Sequence, residues 1–68
     1  MVGRQMYGKK ALKRMAKHIA EIEKQVQNGE LSSDKAVEKI EYITSTVDFD
    51  QLLELDDLVY KILTEWFD

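Results

Sequence analysis

Apolar residues stand at Leu12, Met15, Ile19, Ile22 and Val26, in steps of three, four, three and four, the spacing of one face of a helix that turns about 100° per residue. That pattern predicts a first helix over residues 8–27. Asn28-Gly29 follows, where a glycine just past the last periodic residue can take the left-handed backbone conformation that ends a helix. Leu31, Ser32 and Ser33 then offer an apolar residue and hydroxyl caps for a new start. The stepping resumes at Val37, Ile40, Ile43 or Thr44, and Val47, which predicts a second, shorter helix over residues 33–46. Lys35, Glu38, Lys39, Glu41 and Tyr42 form its solvated side.

The third start carries the fullest signal. Asp48 lies three residues before Gln51 as in a capping box, and Val47 and Leu52 are spaced to close a hydrophobic staple around it. A third helix is predicted over residues 49–67. Its apolar set (Leu52, Leu53, Leu55, Val59, Tyr60, Ile62, Leu63, Trp66 and Phe67) spreads over about half of the helix circumference, wider than the stripes of the first two helices. A face so broad is expected to touch more than one neighbour. The expected fold is therefore all-α: one domain spanning residues 1–68, with a long first helix, a short second and a broad apolar third, packed as a bundle or helical hairpin behind a flexible lead at residues 1–7.

Length adds a reason to look for company. A chain of 68 residues buries only about 60% of the surface that its unfolded form exposes, so a second copy or a partner would add to a marginal core. A homodimer is expected on this ground. There is no cysteine, which excludes disulfide staples and thiolate metal sites and favours a reducing compartment. Met1-Val2-Gly3-Arg4-Gln5 leads into charged sequence rather than the apolar centre of a signal peptide, and no apolar run approaches the roughly 18 residues of a membrane span. A cytoplasmic location with no membrane association is expected.

Charge changes the picture more than composition does. The net charge is -3, yet residues 1–20 hold six Lys or Arg and no acid, whereas residues 48–68 hold one base and seven acids. Cations in the first turns of a helix oppose its macrodipole and cost a few tenths of a kcal/mol each, so helix stability does not account for them. On a helical projection Lys10, Lys13, Arg14, Lys17 and His18 lie opposite Leu12, Met15, Ile19 and Ile22, and Tyr7 joins them if the helix reaches back past Gly8. Evenly spaced cations beside an aromatic ring suit a phosphate backbone, where charge releases counterions and the ring stacks. An acidic protein surface would suit them too. So would internal balance: in an up-down-up bundle the first and third helices run parallel, which would bring these cations near Asp48, Asp50, Glu54 and Asp57.

Asp56 is out of place in a different sense, since the projection sets it near the middle of the third helix's apolar arc. An unpaired carboxylate buried there would be costly, so the arc is expected either to be open at that point or to meet a cation. Trp66 and Phe67 stand too close to the fraying end of the helix for both to enter a small core; at least one is expected to seal the end of the bundle, and large aromatics at such places otherwise anchor interfaces, with a second copy or in a foreign groove. The expected partner-binding set is Leu53, Asp56, Tyr60, Leu63, Trp66 and Phe67.

Chemistry has little to work with. One histidine, no cysteine and no glycine-rich nucleotide loop give no catalytic constellation, and no cofactor or small-molecule substrate is expected. His18 and Glu21 share a face but make only two ligands, and Asp48-Phe49-Asp50 lacks the rest of a calcium loop, so no metal site is expected. A groove-reading helix is ruled against by the acidity of the third helix. The expectation is a small non-catalytic interaction or regulatory module acting through the third helix and the aromatic C-terminus. The alternative is a nucleic-acid-associated factor using the basic face of Tyr7, Lys10, Lys13, Arg14 and Lys17.

Overall fold

The structure, a computed structural model, describes residues 6–67. It contains three helices, α1 (Lys9–Gln27), α2 (Ser33–Thr44) and α3 (Phe49–Phe67), and no strand among the described residues. The all-α expectation therefore holds. α1 and α3 have the same length, 19 residues, so the first helix is not the longest: Gly8 is its N-cap, in extended conformation and without a side chain to cap with.

Each boundary has a local cause. α1 ends in a Schellman motif, in which the Gly29 N–H donates to the Val26 carbonyl at 3.1 Å and the Glu30 N–H to the Gln25 carbonyl at 2.8 Å. Gly29 sits at φ 76°, a conformation open to glycine at little cost. α2 starts at Ser32, whose hydroxyl oxygen accepts from the Lys35 N–H at 3.3 Å. It stops at Thr44, two residues before the expected end. There the Thr44 hydroxyl donates to the Ile40 carbonyl at 2.9 Å and the Ser45 hydroxyl to the Tyr42 carbonyl at 2.8 Å, bonds by which hydroxyl side chains compete with continued helix.

The start of α3 departs from the expected capping box. Asp48 caps the helix, but its carboxylate accepts from the Asp50 N–H at 3.0 Å, and the Gln51 side chain does not return to the cap. Gln51 is instead buried and clamps a backbone 44 residues earlier: the Tyr7 N–H donates to Gln51 Oε1 at 2.7 Å, and Gln51 Nε2 donates to the Tyr7 carbonyl at 2.8 Å. The Tyr7 hydroxyl shares a further hydrogen bond with Thr46 at 2.8 Å. Tyr7 thus lies outside α1 and packs on the core, held by three bonds. It neither belongs to a loose lead nor offers its ring to the basic face; residues 1–5 of the expected lead lie outside the described residues.

α1 and α3 run in the same direction, with Tyr7 beside Gln51 at one end and Lys24 over the Trp66 ring at the other. The core lies chiefly between them: Leu12, Ala16, Ile19 and Ala20 from α1 meet Leu55 and Val59 from α3, and Val47 closes the corner before α3. Ala16 and Ala20, with no side chain beyond Cβ, are fully buried there. α2 packs on α1 through Ala36 and Ile40, leaving Val37 exposed although its spacing had suggested the core. α2 and α3 touch each other little, and α1 is the floor between them.

Candidate functional site

Because α2 and α3 diverge, a groove opens over α1. One half is walled by Val37 and Ile40 of α2 and Leu63 of α3, above Glu23 and Val26. The other half runs past Ile19 and Glu23 to Asp56, Val59 and Tyr60. The halves share Glu23, Ile40 and Leu63, so they adjoin. The groove's lining is mostly apolar, and among the described residues Glu23 and Asp56 are the charged side chains in it.

α3 presents two faces. One holds Gln51, Leu55 and Val59 against the core. The other carries Phe49, Leu53, Asp56, Tyr60, Leu63 and Phe67, in steps of four, three, four, three and four, the spacing with which one helix follows another along a straight seam. Leu53 is 78% exposed, Tyr60 70% and Phe67 47%, and Leu63 is half-buried at the groove. Five of the six residues expected to bind a partner thus lie on one stripe. Trp66 does not. It leans toward α1, with the Lys24 ammonium 5.4 Å from its ring centre.

Asp56 is exposed at the groove rather than buried within the fold, so the apolar arc is open where the sequence sets its carboxylate. Its effect is felt across the groove by Glu23, on α1. Partial burial pushes the Glu23 carboxyl above its usual range, and the negative charge of Asp56 pushes it the same way. Sequence reading missed Glu23 as part of this site, because it belongs to another helix and only the packing of α1 on α3 sets it near Asp56. Phe49 was also missed, although its place at the head of the four-three stepping was there to be read.

The basic side chains lie elsewhere. Lys10, Lys13, Arg14, Lys17 and His18 all point outward from α1. Among the described residues no ion pair joins them to Asp48, Asp50, Glu54 or Asp57. His18 borders two shallow depressions, one with Arg14, Lys17 and Glu21 and one with Tyr42 and Ile43. Among the described residues no three His, Asp or Glu side chains gather as a metal site would need, and no helix is long and apolar enough to cross a membrane. Comparison with protein-family models, with curated proteins and with solved structures finds no match to the chain.

Proposed function

We propose that this protein is a non-catalytic interaction module that holds a helix of another protein along the outer stripe of α3 and in the groove beside it. The observation that carries this reading is the run of exposed large apolar side chains at seam spacing on a helix whose other face already supplies the core. Isolated apolar residues on a surface need no explanation, but a row aligned along a whole helix does. Helix-in-groove recognition uses this arrangement, with anchors at three- and four-residue steps giving most of the affinity.

The test compares surfaces. Affinity capture with the full chain is repeated with Leu53→Asp and Tyr60→Asp, and with Lys13→Gln/Lys17→Gln on the far face. A specific partner should be lost from the stripe variants and kept by the basic-face variant. Equal retention by all of them would rule the stripe out. Sedimentation equilibrium at micromolar concentration separates a foreign partner from a homodimer using the same stripe.

A second reading has its own observation: the cations of α1 are exposed and, among the described residues, make no ion pair with α3. A nucleic acid bound there would show affinity falling steeply between about 50 and 200 mM salt and weakening with each charge removed. No mobility shift at low salt with single- or double-stranded probes would remove this reading.

A further inference from the structure

We propose that the groove takes an amphipathic partner helix whose apolar anchors are interrupted by one Lys or Arg, the cation seating between Glu23 and Asp56. This rests on the reading of α3 as a docking face and adds the chemistry of what docks. Two carboxylates from different helices face one depression, among Ile19, Ile40, Val59 and Leu63, and among the described residues no Lys or Arg lines either half of it. In the free protein Glu23 is itself partly buried and meets the negative charge of Asp56, and the two effects hold its carboxyl above its usual range. An apolar helix without a cation would desolvate both carboxylates further and leave them unpaired, at a cost that a guanidinium or ammonium removes.

A second copy of this chain is a poor occupant on the same grounds. Pairing α3 with α3 would bring Glu54, Asp56 and Asp57 against an equally acidic helix. The basic face of α1 cannot serve either, because the apolar residues of that helix are already in the core and its outer side offers no anchors between its cations.

The experiment is a selection on the full chain from a displayed library of helical peptides. Leu, Ile or Phe is fixed at four-three spacing and the central seam position is randomised. Lys or Arg should be recovered at that position. In the synthetic peptide, replacing the cation by Gln should weaken binding about tenfold, the scale of one charge-assisted hydrogen bond. Against the Glu23→Gln/Asp56→Asn double variant, checked for an unchanged helical spectrum, the two peptides should bind alike. Peptides recovered without preference for a central cation would overturn this inference while leaving the docking face standing. Recovery of no peptide, or recovery unaffected by Leu53→Asp, would overturn the docking face as well. A concentration-dependent dimer abolished by Tyr60→Asp, at the edge of the groove, would assign the groove to a second copy and overturn the proposal.

Discussion

Replacing Gln51 by Ala should destabilise this domain more than almost any other polar substitution in it. Gln51 lies on the core side of α3, and both ends of its amide bond the backbone of Tyr7, at 2.7 and 2.8 Å. Truncation removes two hydrogen bonds, each worth about 1 kcal/mol net, and leaves a partly buried N–H and carbonyl of Tyr7 without those partners. A loss of about 2 kcal/mol is expected. For a domain of this size each kcal/mol moves the melting temperature by about 4–8 °C, so Gln51→Ala should melt roughly 8–16 °C below the parent. Thermal melts followed by circular dichroism measure this directly, and hydrogen exchange at the Tyr7 amide reports the clamp itself, which should lose its protection. Tyr7→Phe is the graded control: it removes only the bond to Thr46, and about 1 kcal/mol is expected. Gln51→Glu keeps the length but loses the donor, so at neutral pH it should cost about as much as alanine and recover on acidification, when a protonated carboxyl can again donate to the Tyr7 carbonyl. The reasoning is refuted if Gln51→Ala melts within about 2 °C of the parent, the range of an ordinary surface substitution.

Three further outcomes follow from single sites. Gly29→Ala should cost about 1 kcal/mol by chemical denaturation, wholly from backbone conformation, because at φ 76° an added Cβ meets nothing within 4 Å; an unchanged midpoint would mean that the turn relaxes freely. Glu23→Gln should raise stability at neutral pH, where the Glu23 carboxylate is ionised beside Asp56 and disfavoured. Because its carboxyl is shifted upward in the fold, that penalty is lifted as pH falls through the raised value toward the usual one, so the advantage of the variant should shrink between neutral and mildly acidic pH; a gap that widens on acidification would contradict this. Lys24→Gln should lower stability by about 0.5–1 kcal/mol through the lost contact with Trp66, whereas Lys61→Gln on the exposed side of α3 should do nothing measurable in the same melt.

The sequence by itself determined the elements. Periodicity sets the α1 face, Gly29 its end, Ser32 the start of α2 and Asp48 that of α3, because these signals act within one turn of backbone and need nothing from the rest of the chain. It also picked out the stripe from Leu53 to Phe67, since the spacing along one helix is a property of the sequence. Which way a side chain finally points was another matter. Gln51 had a local partner available at the cap and took a distant one at Tyr7, and Ala36 rather than Val37 is the buried residue of α2. The groove belongs wholly to the tertiary level. It exists because α1 packs on both other helices while they stay apart, and that arrangement alone sets Glu23 beside Asp56, leaves the cations of α1 facing solvent, and turns one side of α3 outward. Such a choice depends on which pairs of faces bury the most apolar surface together, a sum over residues far apart in the chain that no local pattern contains.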